Sequence, residues 1–273
     1  MQIGNQPAVW KDRLPWPGPD AHKHQRGRLG VVSGDAMHTG AARLAARAGL
    51  RVGAGVVRIL CPPDAAPVIA PAVEAVMLAA FHSPEGLAHE ARDMDAVVIG
   101  PAAGIGDSTA MNVRALAATG AALVIDADGL TSFERAPGDL FAVLDRDDVL
   151  TPHAGEFGRL FPDLAAHERA DAAAMASRRA GAVVVLKGRE TLIAAPDGRL
   201  AVNGNGTPWL ATAGTGDVLA GLIAGLIAQR MDSFDAACAA VWMHAEAARA
   251  FGPGLIAEDL PEGMPAVLRG LLP

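Results

Sequence analysis

Short, almost wholly apolar runs alternate with alanine-rich stretches along most of this sequence, and this alternation restricts the fold more than any other feature. An apolar run of four or five residues is typical of a strand that is covered on both faces. The alanine-rich stretches have the composition and length of helices. We therefore predict an α/β fold with a mostly parallel sheet and helices on both faces. The predicted strands are Leu29–Ser33, Val56–Leu60, Ala96–Gly100, Ala122–Asp126, Val149–Thr151 and Val183–Lys187, and the predicted helices are Gly40–Arg51, Ser108–Thr119, Leu140–Leu144, Gly155–Leu160 and His167–Ala180.

The pattern changes in the C-terminal third of the chain. Two apolar runs, Thr191–Ala195 and Arg199–Asn203, flank a Pro-Asp-Gly turn, which predicts an antiparallel hairpin. Two long helices follow at Gly216–Arg230 and Ser233–Phe251. The first of them is apolar on nearly every face, so we expect it to be buried within the body of the protein.

The chain reads as one domain preceded by a short arm. Residues 1–20 hold four of the 19 prolines and two of the four tryptophans, which predicts an irregular arm lying on the body. Residues 21–273 contain no repeat, linker or change of composition that would divide them. A chain of 273 residues is within the usual size of one large domain.

Composition argues against several classes of function. The net charge of −7 and the aromatic content of 4% disfavour a nucleic-acid-binding protein, which needs a basic face or aromatic rings that stack on bases. The longest apolar run, 218–228, is shorter than the roughly 20 residues of a membrane span. Cys61 and Cys238 form no CxxC pair, and we expect both to be buried, reduced thiols. These features predict a cytoplasmic protein without nucleic-acid or membrane partners.

The strongest local signal is the segment Ala213-Gly214-Thr215-Gly216-Asp217, which opens the buried helix. Its glycines let the backbone approach a ligand, and the first N–H groups of the helix attract anions such as phosphate. Asp217 is then placed at the mouth of an anion site. An isolated Asp before a helix is usually a cap. The two glycines and the apolar helix behind them favour a catalytic carboxylate instead.

Three further segments follow predicted strands, where open α/β sheets bind their ligands. Lys187 is one of only three lysines, and it is either a solvated strand end or a phosphate contact. His153 is either a structural residue or a functional group that donates, accepts or carries a proton. For Asp126 and Asp128 we favour capping of the next turn over binding of a metal or a hydroxyl.

The absence of a P-loop, an HExxH motif, a GxSxG elbow and a complete GxGxxG argues against a standard nicotinamide dehydrogenase. Nine segments follow one another from about Leu14 to the C-terminus: His22-Lys23, Gly30-Val31-Val32-Ser33-Gly34, Thr39-Gly40-Ala41-Ala42, Arg51-Val52-Gly53-Ala54-Gly55, Val98-Ile99-Gly100-Pro101, Ile125-Asp126-Ala127-Asp128, Leu150-Thr151-Pro152-His153-Ala154-Gly155-Glu156, Leu186-Lys187-Gly188 and Ala213-Gly214-Thr215-Gly216-Asp217. These segments and their order resemble the ADP-dependent NAD(P)H-hydrate dehydratases.

The resemblance implies a ribokinase-like three-layer sandwich and the repair of hydrated NADH or NADPH, with ADP converted to AMP and phosphate. Mg²⁺ would bridge the nucleotide phosphates, with its protein ligands unknown. It also implies a homotetramer, and an epimerase, when one acts with it, would be a separate protein. The residues that match the family's substrate contacts are Ala41, Gly104, His153 and Asp217, and those that match its nucleotide contacts are Lys187, Gly188, Arg189, Glu190, Thr191 and Gly216.

One departure and two alternatives remain. The family commonly has GPGLG where this chain has Gly100-Pro101-Ala102-Ala103-Gly104, so the methyl group of Ala102 puts the placement of Gly104 in question. A ribokinase-like kinase would use ATP to make a stable phosphate ester, and the TPHAGE segment at 151–156 argues against it. A non-catalytic nucleotide sensor would be expected to lose the aspartate at position 217, which is present.

Overall fold

A computed structural model describes residues 2–272, and one mixed sheet of ten strands runs through it. The strands are β1 (Gln2–Gly4), β2 (Arg28–Val32), β3 (Val56–Cys61), β4 (Met77–Ala80), β5 (Ala96–Ile99), β6 (Ala122–Ile125), β7 (Val149–Leu150), β8 (Val183–Leu186), β9 (Thr191–Ala194) and β10 (Leu200–Asn203). The helices are α1 (Gly40–Val52), α2 (Ala66–Ile69), α3 (Pro84–Ala91), α4 (Asp107–Ala117), α5 (Asp128–Thr131), α6 (Pro137–Phe141), α7 (Ala154–Leu160), α8 (Arg169–Ala180), α9 (Thr215–Ala228), α10 (Ser233–Phe251) and α11 (Asp259–Arg269).

The strand order is β1-β10-β9-β8-β7-β6-β5-β2-β3-β4. Pairing is parallel throughout, except that β9 is antiparallel to both β8 and β10. Among the described strands, β9 alone therefore runs against the others. The predicted hairpin is confirmed as β9–β10, and the carboxyl ends of the remaining strands share one edge of the sheet.

The sheet is covered on both faces, as the continuous apolar runs predict. In β5, Ala96 and Val98 pack into the core that holds α1, α9, α10 and α11, whereas Val97 and Ile99 pack into the core beneath α3, α4, α7 and α8. This alternation follows from the two-residue period of a strand. The three layers of helix, sheet and helix confirm the predicted fold class.

Helix α9 is the buried centre of one of the helical layers. Twelve of its fourteen residues are buried, and it packs against α1, α10 and the sheet. A side chain at Gly221 would clash with the backbone of α1, because a Cβ there would lie 2.2 Å from the carbonyl oxygen of Ala45. The expected burial of this helix is confirmed, and its N-terminus is the end that reaches the carboxyl edge of the sheet.

The expectation of an irregular arm needs correction, although Met1 lies outside the described residues. Gln2–Gly4 forms a strand that pairs with β10, and the side chain of Trp10 is buried within the core. The indole Nε1 donates to Oδ1 of Asn5, whose own Nδ2 donates to Oδ1 of Asn203. A three-residue strand is too short to show a period, so this edge could not be read from the sequence.

The predicted helix at 140–144 is displaced in the structure. Helix α6 begins at Pro137, because proline is favoured in the first turn of a helix, and it ends at Phe141. The sequence reading also missed β4, α3 and α11. Both cysteines are buried and free, as expected, and no helix within residues 2–272 is long and apolar enough to span a membrane.

Candidate active site

The loops that follow β6, β7 and β8 meet at the carboxyl edge of the sheet, beside the start of α9. Asp126 directly follows β6, and Lys187 directly follows β8. His153 lies in the loop after β7, which ends at Leu150. Because the three strands are parallel and adjacent, their carboxyl ends lie side by side. This edge is where an open α/β sheet binds ligands.

Asp126 and Lys187 form an ion pair at this edge. The ammonium Nζ of Lys187 donates to Oδ1 of Asp126 at 2.7 Å, and the Asp126 side chain is only 3% exposed. A Cβ on Gly216 would lie 3.5 Å from Oδ2 of Asp126 and 3.7 Å from Nζ of Lys187. The pair therefore lies against the first turn of α9, where an anion would meet the lysine.

This pairing revises two interpretations of the sequence. Lys187 is not a freely solvated strand end, because its ammonium is paired with Asp126. Its contact with a phosphate stays a prediction. Asp126 does accept the N–H of Ala127 at 2.9 Å, as a turn-capping residue would. The favoured capping role is nevertheless incomplete, because the same oxygen also binds the ammonium of Lys187.

Asp217 is the third residue of α9, and its carboxylate does not cap the helix. The N-cap residue is Gly214, which has φ +86° and no side chain. Among the described residues, no side chain caps this helix, and that includes the carboxylate of Asp217. Burial raises the pKa of Asp217 to about 6, the negative charge of Asp126 adds to the rise, and Lys187 opposes it. A carboxylate of this kind is ionised at neutral pH and is basic enough to accept a proton.

A cavity of about 790 Å³ opens beside Lys187. It lies between the β8–β9 loop, the segment after β10 and helix α10. Five of the six predicted nucleotide contacts line it, namely Lys187, Gly188, Arg189, Thr191 and Gly216, together with His153. Glu190 is exposed and does not line the cavity. Its carbonyl oxygen accepts a hydrogen bond from Arg169, so a role in nucleotide binding stays a prediction.

The same cavity has an apolar end that the sequence reading missed. Leu219, Val241 and Ala245 line it, together with the buried ring of His244. The Nε2 atom of His244 lies 2.9 Å from the carbonyl oxygen of Thr215, to which it donates. Burial lowers the pKa of His244 to about 4, so the imidazole is neutral at physiological pH. Nothing but a single histidine in an apolar helix marks this residue in the sequence.

His153 has a structural role in addition to its place on the cavity wall. Its Nδ1 accepts the N–H groups of Gly155 and Glu156 at 2.9 and 3.3 Å, and its own N–H donates to the Glu156 carboxylate. These contacts form a capping box at the start of α7. The acceptor role of Nδ1 assigns the proton to Nε2 in the neutral ring. That nitrogen lies 3.3 Å from Oε1 of Glu156, so both polar edges of the ring face the first turn of α7.

Ala41 and Gly104, the remaining predicted substrate contacts, do not line the 790 Å³ cavity. Ala41 is the second residue of α1, and Gly104 is an exposed residue in the loop between β5 and α4. The amide of Gly104 donates to Oδ2 of Asp128 at 2.9 Å, which connects this loop to the one after β6. Their assignment to the substrate remains a prediction.

Two alanines adopt left-handed backbone conformations in the loops at this edge. Ala102 has φ +56° and Ala127 has φ +49°, values that are uncommon outside glycine. Such a residue costs on the order of 1–3 kcal/mol and persists where the surroundings hold it in place. Ala102 thus adopts a backbone conformation that glycine favours, and Gly104 is exposed, while its contact with the substrate stays a prediction.

No group of three or more His, Cys, Asp or Glu side chains suited to a metal ion occurs within residues 2–272. Mg²⁺ usually takes one or two carboxylates from a protein and its other ligands from phosphates and water. Asp126 places one carboxylate at the start of α9, where its Oδ2 lies 3.5 Å from the position that a Cβ on Gly216 would occupy. This donor set fits a Mg²⁺ ion that is held mainly by nucleotide phosphates.

The sequence pattern of a family described as NAD(P)H-hydrate dehydratase matches residues 29–260. An ADP-dependent (S)-NAD(P)H-hydrate dehydratase from Xanthomonas campestris is 39% identical over 93% of this chain and 92% of its own length. A bifunctional NAD(P)H-hydrate repair enzyme from Methanopyrus kandleri is 38% identical over 96% of this chain. The chain spans about half of that bifunctional protein, 52% of its length.

Solved structures show the same architecture. The ADP/ATP-dependent NAD(P)H-hydrate dehydratase from Bacillus subtilis, co-crystallised with ATP and Mg²⁺, superposes with a TM-score of 0.83 at 25% identity and 99% coverage of both chains. A ribokinase-like superfamily protein from Enterococcus faecalis has a TM-score of 0.84 at 24% identity, covering 96% of this chain and 94% of its own. The ribokinase-like fold is thereby confirmed.

Proposed function

The chain belongs to the NAD(P)H-hydrate dehydratase family, and we propose that it dehydrates hydrated NADH and NADPH with ADP as the phosphate donor. The products are NADH or NADPH, AMP and phosphate. The observation that carries the proposal is the placement of Asp217 with its raised pKa at the glycine-lined start of α9, next to Lys187. That arrangement joins a base to an anion site.

The proposed reaction begins when Asp217 takes the proton of the hydroxyl group on the hydrated ring. The hydroxyl oxygen then attacks the terminal phosphorus of ADP, and AMP leaves. The N–H groups at the start of α9 and the ammonium of Lys187 stabilise the negative charge of the phosphoryl group in transfer. The lone pair of the ring nitrogen then expels phosphate, which is a far better leaving group than hydroxide, and an iminium ion forms. The neighbouring ring carbon loses a proton to solvent, and this loss gives NADH or NADPH.

The 790 Å³ cavity is proposed as the ADP site. Its phosphate end is formed by Lys187, Gly188 and Gly216, and its apolar end is suited to a purine. We assign Ala41, Gly104 and His153 as the contacts of the hydrated ring. His153 also lines the cavity proposed for ADP, so it would lie between the two ligands. Mg²⁺, when bound, neutralises the charge of the nucleotide phosphates.

Several finer points are also proposals. We propose ADP as the preferred nucleotide over ATP, a homotetrameric assembly and a cytoplasmic location. The epimerisation of the hydrate is assigned to a separate protein. These points are supported by the resemblance of the motifs and by the name of the Xanthomonas relative, which is ADP-dependent.

The test is to incubate enzymatically hydrated NADH with the protein and either ADP or ATP. Recovery of absorbance at the reduced-nicotinamide band, together with release of AMP and phosphate, is the expected result with ADP. Denatured protein and omission of the nucleotide are the controls. A stable phosphate ester formed from ATP, without recovery of absorbance, would favour a small-molecule kinase instead.

A further inference from the structure

A row of amide side chains connects the N-terminal segment to the wall of the 790 Å³ cavity. It consists of Asn5, Asn203 and Asn205, and we call it the amide row. Asn203 lines the cavity and is 2% exposed, and Asn5, which follows β1, is 5% exposed. Nδ2 of Asn5 donates to Oδ1 of Asn203 at 2.9 Å. The start of the chain thus holds a side chain of the cavity wall that lies 198 positions away in the sequence.

The first contacts of the row fix the orientation of Asn5. The indole Nε1 of Trp10 donates to Oδ1 of Asn5 at 3.0 Å, and an indole N–H cannot accept a hydrogen bond. Nδ2 of Asn5 also donates to the carbonyl oxygen of Cys238 at 2.8 Å, and a carbonyl oxygen cannot donate. Rotation of the Asn5 amide by half a turn would place N–H against N–H and oxygen against oxygen. Asn5 is therefore restricted to one orientation, in which both of its side-chain N–H groups are used.

Asn5 in turn fixes the orientation of Asn203. Because Oδ1 of Asn203 accepts from Asn5, its Nδ2 is the atom that donates to Oδ1 of Asn205, at 2.7 Å. Nδ2 of Asn205 donates to the carbonyl oxygen of Trp242, on α10, at 3.1 Å, so the row ends on a group that can only accept. All hydrogen bonds along the row have the same direction, and hydrogen bonds in such a chain polarise and strengthen one another.

Asn203 keeps one side-chain N–H that has no hydrogen bond among the described residues. Its Nδ2 carries two N–H groups and donates only to Asn205. A donor on a side chain that is almost completely buried costs free energy unless it finds a partner. The cavity that Asn203 lines is where a ligand can supply that partner. The ribose oxygens and the purine ring nitrogens of ADP are acceptors of the required kind.

We propose that Asn5 and Trp10 position Asn203 as a hydrogen-bond donor to the nucleoside of ADP. The identity of the ligand rests on the proposed function. Neither Asn5 nor Trp10 lines the cavity, so both act through Asn203. With the row intact, Asn203 turns an N–H group towards the nucleoside. Without Asn5, the amide of Asn203 is free to rotate and to present its carbonyl oxygen, which repels the same acceptors.

The test is calorimetric binding of ADP in the absence of hydrate, which needs no turnover. Asn5→Ala removes the donor to Asn203 and is expected to weaken ADP binding about tenfold. Trp10→Phe removes the indole N–H but keeps an aromatic ring in the core, and it is expected to weaken ADP binding by a smaller factor. Arg13→Gln is the matched control, because it breaks an ion pair of the same segment with Asp235, 2.6 Å long and outside the row. Its ADP affinity should equal that of the parent, and thermal unfolding identifies a temperature at which all variants are folded.

A double-mutant cycle separates positioning of Asn203 from a general loosening of the N-terminal segment. Asn203→Ala removes the donor itself, so Asn5→Ala should have no further effect on ADP affinity in that background. Losses of affinity that add in the double variant would overturn the inference, as would equal ADP affinity in the parent and in Asn5→Ala. If Asn5→Ala does not fold, the same cycle with Trp10→Phe decides by the same two results. Both results leave the proposed function intact, whereas a parent that binds no ADP would overturn the proposed function and this inference with it.

Discussion

Replacement of Asp217 by Asn is expected to stabilise the protein at neutral pH while it abolishes most of the activity. Burial and the charge of Asp126 raise the pKa of Asp217 from 3.8 to about 6. A rise of about two units corresponds to roughly 3 kcal/mol of differential interaction between the two protonation states. Ionised Asp217 therefore costs the folded state free energy, and Asn carries no charge.

The sign of the effect depends on pH. Between about pH 4 and 6 the folded protein holds a proton on Asp217 that the unfolded chain has released. The free energy of unfolding of the parent therefore falls as the pH rises through this window, and above pH 6 the full cost is present. At pH 3 the group is protonated in both states, so parent and variant should be equally stable.

The assay is urea unfolding of the parent and Asp217→Asn at pH 3 and pH 8, combined with single-turnover dehydration and calorimetric ADP binding at pH 8. We expect the variant to gain up to about 3 kcal/mol at pH 8. It should bind ADP and lose on the order of 10²–10⁴-fold in turnover. The parent rate should fall as the pH drops below about 6.

Two results would refute this reasoning. A variant with a rate within a few-fold of the parent would mean that Asp217 does not act as the base. A variant less stable than the parent at pH 8 would mean that its carboxylate makes a stabilising contact, so the charge is not buried at a cost.

Three other variants are expected to separate positioning from chemistry. Asp126→Asn removes a charge that raises the pKa of Asp217, so the acidic limb of the pH–rate profile should move to lower pH; an unchanged limb would contradict this. His153→Ala should raise the KM of the hydrate more than that of ADP and, by loss of the α7 cap, lower stability by about 1 kcal/mol, as measured by steady-state kinetics and thermal unfolding. His244→Phe removes the donor to Thr215 and should weaken ADP binding about tenfold, with partial rescue by Gln; equal ADP affinity in calorimetry would assign the ring to packing alone.

The central strands could be predicted because each is covered on both faces. In β5 and β6 every residue is buried, so the strand appears in the sequence as an uninterrupted apolar run. The edge strands do not have this property. In β4, Met77 is exposed, and β1 has only three residues. Three residues are too few for β1 to show a pattern, and β4 is a short apolar run whose two alanines are depleted in strands. The structure shows that both strands extend the sheet.

The candidate site was predictable where its residues are contiguous. The turn that ends in Asp217 and the loop that begins at Lys187 are each one segment. Local chemistry predicts an anion site at the turn and gives a phosphate contact as one of two alternatives for Lys187. The pairing of Lys187 with Asp126 joins residues 61 positions apart, and His244 contacts a residue 29 positions away. Such contacts depend on which strands and helices become neighbours, so spacing along the chain does not reveal them.

The burial of α9 links the fold to the chemistry. Because α1, α10 and the sheet cover its length, the N-terminus is the part of this helix that a ligand meets. A carboxylate in its first turn is removed from much of the solvent, and this desolvation raises the pKa of Asp217 towards neutrality. The same packing that buries the apolar side chains of α9 thus makes Asp217 a stronger base and a less stable ion. The site gains proton affinity at the expense of the free energy of folding. Removal of the charge at Asp217 should therefore stabilise the protein and abolish most of its activity.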